Sequence, residues 1–177
     1  LLAIAKRSGN TFEVRVHPTL IANDHPLSQV NGSFNAVYLH GHACKEMMLQ
    51  GRGAGDLPTA SAVVGDILHA ATVDVHVHPT FVNSANADAS LVFTNDWKTR
   101  YFLRLSIQDE PGSLAKIATW LSSEQVSIAT MMQKAELAGS RVPLIIITHE
   151  ANEQAIRAAL AKFDPEVCTV ENMIRVE

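Results

Sequence analysis

The sequence predicts an α+β protein, in which a mixed or antiparallel sheet segment precedes a ferredoxin-like βαββαβ domain. Three observations predict this class. Short segments alternate between apolar and polar residues, as strands do. Other segments place apolar residues at helical spacing. A stretch with neither pattern lies between two such regions. We therefore predict a first region at 1–80, a linker at 81–96 and a second domain at 97–177.

The first region is predicted to contain strands joined by tight turns. Thr11 to Ala22 alternates apolar with polar residues and predicts a half-buried strand, which Pro18 interrupts. The alternating residues are Phe12, Val14 and Val16 against Glu13, Arg15 and His17. Asn31-Gly32 predicts a turn before the strand SFNAVYLHG. Lys45 to Gln50 predicts an antiparallel return, and the linker allows one short extended piece at Leu91 to Phe93.

A glycine-rich segment, Gly51 to Gly55, is predicted to join this return strand to a helix. The helix is expected from Thr59 onward, since apolar residues recur at helical spacing and Pro58 suits a first helical position. The glycines follow GxGxG and not the GxGxxG of a dinucleotide fingerprint, and no βαβ unit surrounds them. A tight strand-to-helix turn and a ligand-lining loop both remain open from the residues alone.

The second domain has the clearer pattern. Its predicted strands are Tyr101 to Ile107, Val126 to Lys134, Val142 to Thr148 and Cys168 to Val176, and its predicted helices are Ser113 to Ser123 and Ala151 to Lys162. A turn is expected at Gly139-Ser140. The continuous apolar run VPLIIIT predicts a central strand. The order βαββαβ is that of the split, ferredoxin-like arrangement, with both helices on one face of the sheet.

Composition excludes several function classes. A net charge of −4 gives no basic surface for nucleic acid, and no segment approaches the length of a membrane helix. Cys44 and Cys168 form no CxxC pair and are expected to be reduced thiols in a cytoplasmic protein. His40-x-His42 and His76-x-His78 lack further ligands at convincing spacing, so no metal site is predicted. Lys6 and Arg7 are interpreted as surface charges, and Trp97 and Trp120 as packing residues.

The motifs HPTL, NGSFNAVYL and GRGAGDLPTASAVVGDI resemble the end of the homoserine dehydrogenase catalytic domain, and DEPGSLAKIA with VSIATMMQK resembles an ACT domain. Together they resemble the long bacterial form of homoserine dehydrogenase. The segment Gly41 to Glu46 departs from the family pattern, as does Asp56, which stands where glycine is common. These departures bear on whether the turn and the loop make the family's usual contacts.

The resemblance implies a function for each half. The family reduces L-aspartate 4-semialdehyde to L-homoserine with NADP or NAD, in threonine, methionine and isoleucine biosynthesis. The cofactor-binding residues are then expected at the glycine-rich loop, beside the nicotinamide: Gly51, Arg52, Gly53, Ala54 and Gly55. The family's dinucleotide-binding domain and its catalytic lysine and acidic residues would lie before Leu1. No catalytic residue is therefore expected in these 177 residues, which are predicted to be inactive alone.

The resemblance to ACT domains implies feedback control by an amino acid, with threonine the expected effector. The effector site would use Asp109 for an ammonium group and backbone N–H groups of Gly112, Ser113 and Leu114 for a carboxylate. Ser127, Ile128 and Ala129 would come from a neighbouring domain, because ACT domains pair side by side. Asp109 as a plain N-terminal cap or turn residue, and a purely structural or dimerising ACT domain, remain open alternatives. A homodimer or homotetramer is expected. The alternative function is an ACT-containing regulatory module of another enzyme.

Overall fold

The chain forms two compact units in a computed structural model that describes residues 1–72, 90–133 and 141–177. The first unit comprises Leu1–Leu20 and Ala89–Glu177, and the second comprises Ile21–Asp88. The units therefore do not follow the order of the chain, because the first twenty residues group with the C-terminal half. The division at 1–80, 81–96 and 97–177 stays a prediction about modules of sequence.

A three-stranded sheet begins the first unit. Strands β1 (Leu2–Ser8) and β2 (Thr11–His17) form an antiparallel hairpin, turned at Gly9 with a φ of 59°. Strand β6 (Val92–Thr94) lies parallel to β2 on its other side. The alternation along β2 thus produces the predicted half-buried strand. However, the buried half is the polar one: Arg15 and His17 are buried, whereas Val14 and Val16 are exposed.

The larger sheet supplies the core of the first unit. Its elements in chain order are β3 (Thr19–Leu20), β7 (Lys98–Gln108), α2 (Ser113–Ser123), β8 (Ile128–Gln133), β9 (Arg141–Thr148), β10 (Ala151–Asn152), α3 (Glu153–Ala161) and β11 (Cys168–Val176). The strand order is β3-β11-β7-β9-β8, and β10 pairs with β7. β3 is parallel to β11, and the other neighbours are antiparallel.

One face of this sheet is covered by the two helices. Alternate residues of β7 and β9 point into the core: Tyr101, Leu103, Leu105, Ile107, Val142, Leu144 and Ile146. Ile117 and Leu121 of α2, with Ile156 and Ala159 of α3, complete it from the helical side. This is the burial that a period of two in strands and of 3.6 in helices requires.

The second unit contains a hairpin and a helix. A 3-10 turn (Pro26–Gln29) precedes strands β4 (Phe34–Gly41) and β5 (Lys45–Arg52), which pair antiparallel, and helix α1 spans Asp56–Thr72. Apolar side chains of this helix, including Leu57, Ile67 and Leu68, are exposed. Its helical spacing was predicted from sequence; no residue of it is buried by the described part of the chain.

Most element predictions are confirmed, and the α+β class with mixed sheets is confirmed. Several boundaries differ, among them the start of β8, which is Ile128 and not Val126, and the end of β5, which is Arg52 and not Gln50. Helix α1 begins at Asp56 and not at Pro58 or Thr59, because the amide of Thr59 already donates to the carbonyl of Gly55. Ala151 and Asn152 form a short strand before α3, since they pair with β7. Strand β7 begins at Lys98, before the predicted Tyr101.

Two predicted features lie outside the described residues, namely the turn at Gly139-Ser140 and the pair His76-x-His78. Within residues 1–72, 90–133 and 141–177, no helix is both long enough and apolar enough to cross a membrane.

Candidate cofactor and effector sites

The glycine-rich segment lies where β5 passes into α1. Gly51 and Arg52 end the strand, and Gly53 to Gly55 form the connection, with all five residues exposed. Gly55 has a φ of 127°, a conformation that residues with a Cβ rarely adopt. The amide of Gly53 donates to the carbonyl of Ser33 at 3.1 Å, which ties the connection back to the start of the hairpin. The turn therefore depends on the positive φ of Gly55 and on the hydrogen bond from Gly53, and not only on the number of its glycines.

Charges at this turn restrict the ligand group that it can face. The Arg52 guanidinium lies over the Phe34 ring at 5.0 Å, and its Nη1 donates to Ser33 Oγ at 3.0 Å. Asp56 occupies the first turn of α1, where a carboxylate already offsets the partial positive charge of the helix N-terminus. Asp56 therefore opposes a second anion at the start of α1, whereas Arg52 adds a positive charge beside it.

The predicted effector loop joins β7 to α2. Gly112 is the N-terminal cap of α2, with a left-handed φ of 96° and no side-chain cap, so Asp109 is not the cap. Asp109 instead accepts a hydrogen bond from Gln133 Nε2 at 3.1 Å. The Ser113 amide donates to the Glu110 carbonyl at 3.2 Å. Ser113 is buried, whereas Leu114 is exposed. The structure thus places Asp109, Gly112, Ser113 and Leu114 on one loop.

The second half of the predicted effector site lies elsewhere in the chain. Ser127 and Ile128 are at the start of β8, and Gln133, which contacts Asp109, is at its end. At about 3.3 Å per residue, Ile128 is roughly 17 Å along the strand from Gln133. Ala129 is exposed and coincides with an irregularity in the pairing of β8 with β9. A single chain therefore does not bring residues 127–129 to the Asp109 loop.

A buried polar cluster in the first unit was missed by the sequence reasoning. We call it the Trp97 cluster. Its members are Arg15, His17, Trp97, Tyr101, Glu153, Arg175 and Glu177. Arg15, His17 and Glu153 are only 4%, 7% and 3% exposed. The one sequence signal is the polar alternation along β2, which does not say which face is buried.

Trp97 lies at the centre of the cluster. The guanidinium carbons of Arg15 and Arg175 lie 5.3 and 5.8 Å from its ring, and the His17 ring stacks at 6.2 Å with an interplanar angle of 29°. Arginine over an indole is a favourable cation–π arrangement. Trp97 is therefore a packing residue, as predicted, but it packs against charged groups and not in the apolar core.

Carboxylates compensate these cations. Glu153 accepts from Tyr101 Oη at 2.9 Å, from Arg157 Nε at 2.8 Å and from two nitrogens of Arg175. Burial alone would raise the pKa of Glu153, but hydrogen bonds from Arg175 and Tyr101 outweigh it and leave that pKa below its ordinary value. Burial and the Glu153 carboxylate together raise the pKa of Tyr101, so its hydroxyl stays protonated.

Glu177 supplies the negative charge that pairs with cations of the N-terminal hairpin. It pairs with Arg15 Nη2 and accepts from Lys6 Nζ at 2.8 Å, and its amide donates to the Leu20 carbonyl at 3.0 Å. Burial would raise the pKa of Glu177, yet the hydrogen bond from Lys6 and the charges of Lys6 and Arg15 lower it overall. Lys6, predicted to be a plain surface charge, thus also joins β1 to the end of the chain.

The remaining candidate residues carry little chemistry. Among the described residues no group of three histidine, cysteine or acidic side chains could hold a metal ion, and this includes the surroundings of His40 and His42. Cys44 is exposed and Cys168 buried, and both are free. Trp120 packs in the core against Phe163, with ring centroids 5.4 Å apart.

Comparisons with known proteins by family model, by sequence and by structure all find similarity to the same family. Residues 1–68 match the family model described as homoserine dehydrogenase. The homoserine dehydrogenase of Pseudomonas aeruginosa is 39% identical over 170 residues, covering 92% of this chain and 39% of that protein. That of Neisseria gonorrhoeae is 37% identical over 185 residues, covering 100% of this chain and 42% of that protein. A crystal structure of a homoserine dehydrogenase from Thiobacillus denitrificans superposes with a TM-score of 0.80 at 34% identity, covering 99% of this chain and 41% of that one.

The chain spans about two-fifths of the length of these relatives.

Proposed function

Since the chain belongs to the homoserine dehydrogenase family, we propose that it forms the part of such an enzyme that closes the nicotinamide pocket and senses an amino acid. The enzyme would reduce L-aspartate 4-semialdehyde to L-homoserine with NADPH or NADH in the cytoplasm, within threonine, methionine and isoleucine biosynthesis. The observation that carries this proposal is the similarity to homoserine dehydrogenases over the whole chain, which the structural superposition extends to the fold.

The proposed cofactor contact is the segment Gly51 to Gly55. Backbone without side chains lets a planar ring approach closely, and Asp56 at the start of α1 favours a ring that is neutral when reduced and cationic when oxidised. The segment would therefore face the nicotinamide and not the pyrophosphate. Replacing Gly53 by valine would place a branched side chain against Asn35, whose amide nitrogen occupies the position of a Cβ.

The expected result of Gly53→Val in an active enzyme carrying this segment is a higher KM for NADPH and a lower kcat. Gly65→Val, which adds the same side chain at a position of α1 where a Cβ meets nothing within 4 Å, is the matched control and should change both constants little. Equal kinetics for Gly53→Val and the unaltered enzyme would contradict a cofactor role for this segment. The 177 residues alone are proposed to bring no catalytic group and to give no NADPH oxidation with the substrate.

The C-terminal half is proposed to be an ACT domain that binds threonine as a feedback inhibitor. In the sheet, the four strands lie in the order β11-β7-β9-β8, which is fourth, first, third and second by their order in the chain. The split arrangement of such domains has this order. Asp109 would bind the ammonium group, and the backbone N–H groups of Gly112, Ser113 and Leu114 would bind the carboxylate, for which the Ser113 amide would exchange its hydrogen bond to the Glu110 carbonyl. The distance of Ser127, Ile128 and Ala129 from this loop favours their supply by a second subunit, paired along the edge strand β8.

Titration calorimetry of the chain with threonine, serine and isoleucine tests the sensing proposal. Threonine is expected to bind best, and Asp109→Asn is expected to weaken binding because the ammonium group loses a carboxylate. Asp164→Asn, at an exposed acidic residue distant in sequence from the loop, is the control. Absence of heat with all three amino acids would reject sensing and leave the enzyme assignment intact. A chain that sediments as a monomer with threonine bound would reject the paired site.

A further inference from the structure

The Trp97 cluster joins two parts of the chain that are far apart in sequence. Arg15 and His17 belong to β2, inside the segment that matches the homoserine dehydrogenase family model, whereas Trp97, Glu153 and Arg175 belong to the predicted second domain. We propose that this cluster is a pH-sensitive docking device, in which protonation of His17 releases the N-terminal hairpin β1–β2 from the C-terminal sheet. The proposal does not depend on effector or cofactor binding.

His17 is enclosed so that only its neutral form is accommodated. Its Nδ1 lies 3.1 Å from the Pro18 carbonyl and 3.0 Å from Thr19 Oγ1, both on its own chain segment. Its Nε2 is buried and has no hydrogen-bond partner among the described residues. An imidazolium carries a proton on both nitrogens, so protonation would leave a buried, charged N–H without an acceptor.

The charges around His17 also oppose protonation. Arg15 from the same strand and Arg175 from β11 lie against the indole on which His17 stacks. Burial lowers the pKa of His17, the hydrogen bond to Pro18 opposes this, and the two arginines lower the pKa further. Glu153 from α3 is the one carboxylate that raises it, and three donors already occupy Glu153.

The other charged groups around the cluster already have charged partners. Lys6 pairs with Glu13 and Glu177, which also pair with Arg15. Arg157 from α3 pairs with Glu153. Arg15 Nη1 lies 2.9 Å from Glu13 Oε2 but lacks hydrogen-bond alignment with it. All buried side-chain nitrogens without a hydrogen-bond partner in residues 1–72, 90–133 and 141–177 belong to Arg15, His17 and Trp97.

This concentration of unpaired buried nitrogens makes the docking surface weak. Buried polar atoms without partners cost free energy, and a polar interface between chain segments separates more readily than an apolar core. Among the described residues, few backbone hydrogen bonds hold the end of the hairpin to the larger sheet: those of the two-residue pairing of β3 with β11 and the one from the Glu177 amide to the Leu20 carbonyl. The small sheet β1-β2-β6, in which β6 has only three residues, is marginally stable by itself, so the amides of β1 and β2 are expected to exchange once it undocks.

The sign of the pH effect follows from the lowered pKa. The docked state favours neutral His17, so its stabilisation is complete above the undocked value near 6.5 and is lost as the pH falls below it. One proton allows the docking constant to fall by at most about tenfold per pH unit. Glu153 and Glu177, whose pKa values lie below those of ordinary carboxyls, stay ionised in this range.

Hydrogen exchange read by mass spectrometry on the 177-residue chain tests the proposal between pH 8 and pH 5.5, with each rate corrected for intrinsic exchange. Protection of β1 and β2 is expected to fall by up to about tenfold per pH unit below pH 6.5, while protection of β9 stays constant. His17→Gln should remove this slope. His149→Gln, at an exposed histidine in the same unit, should retain it.

A constant protection of the hairpin across this range would overturn the proposal, as would an unchanged slope in His17→Gln. If His17→Gln leaves the hairpin unprotected even at pH 8, the imidazole of the unaltered protein is titrated by NMR. A pKa below 6.5 for His17 supports the proposal, and a value at or above 6.5 overturns it. Neither result bears on threonine binding or on hydride transfer, which use other residues.

Discussion

Replacing Glu153 by glutamine is expected to destabilise the first unit more than any other single loss of charge. The carboxylate is buried, and its partners differ in how much they contribute. Arg157 is 63% exposed, so its contact with Glu153 contributes less than about 1 kcal/mol. Tyr101 can still donate to an amide oxygen. Arg175, nearly buried, loses its counter-charge, and breaking such a pair costs about 3 kcal/mol.

The assay is thermal unfolding followed by circular dichroism at pH 7. For a chain of this size, about 3 kcal/mol corresponds to a fall in Tm of roughly 6–12 °C. Glu171→Gln, which breaks the exposed pair with Arg104, is the control and should lower Tm by less than about 2 °C. Because the pKa of Glu153 is lowered on folding, its stabilisation is present above an ordinary carboxyl pKa of 4.5 and is lost below it.

The Tm values of the unaltered protein and of Glu153→Gln should therefore converge as the pH falls below 4.5. The double variant Glu153→Gln with Arg175→Met should recover part of the loss, since it removes the unpaired cation as well. A fall in Tm no larger than that of Glu171→Gln would refute the argument that this buried carboxylate holds the cluster together.

Three further predictions follow from burial and backbone conformation. Ile146→Ala should lower the free energy of unfolding in urea by about 2–5 kcal/mol, because Ile146 is fully buried, and a loss below about 1 kcal/mol would contradict the core assignment. Iodoacetamide at pH 8 should alkylate the exposed Cys44 but not Cys168, because burial raises the pKa of the Cys168 thiol to about 11. Equal labelling of the two cysteines, measured by mass spectrometry, would contradict this difference. Gly112→Ala should cost about 1–3 kcal/mol at its φ of 96° and speed hydrogen exchange in α2; unchanged exchange would show that the turn is unstrained.

Sequence periodicity was sufficient for the C-terminal half. Strands β7 and β9 bury every second residue, and α2 places Ile117 and Leu121 one turn apart toward them, so local pattern and burial agree. The corrected boundaries at α1 and β10 depend on single backbone contacts. The amide of Thr59 donates to the carbonyl of Gly55, and Ala151 pairs with Thr99. Neither contact changes the spacing of apolar residues, so the sequence pattern does not reveal it.

The Trp97 cluster could not be predicted from the sequence, for a physical reason. Its members are separated by up to 162 positions, as Arg15 and Glu177 are, and they are brought together by tertiary strand pairing, such as that of β3 with β11 and of β2 with β6. The alternation along β2 predicts two faces of opposite polarity, but partners elsewhere in the chain decide which face is buried. Here charged partners on α3 and β11 cover the polar face, against the usual preference for apolar burial.

The candidate sites differ in how far they were predictable. Composition and spacing located the glycine-rich connection and the loop before α2, since glycines and a strand-to-helix transition are local features. Gln133, which contacts Asp109 from the end of β8, was not expected, because its position depends on the pairing of three strands. The roles of both loops in ligand binding stay predictions.

The most direct measurement of the central claim replaces the matching two-fifths of the Pseudomonas aeruginosa homoserine dehydrogenase with this chain. NADPH oxidation is then followed with aspartate 4-semialdehyde as substrate. An active chimera is expected, whose activity falls on Gly53→Val but not on Gly65→Val. A chimera that folds and binds NADPH yet reduces no aspartate 4-semialdehyde would contradict it.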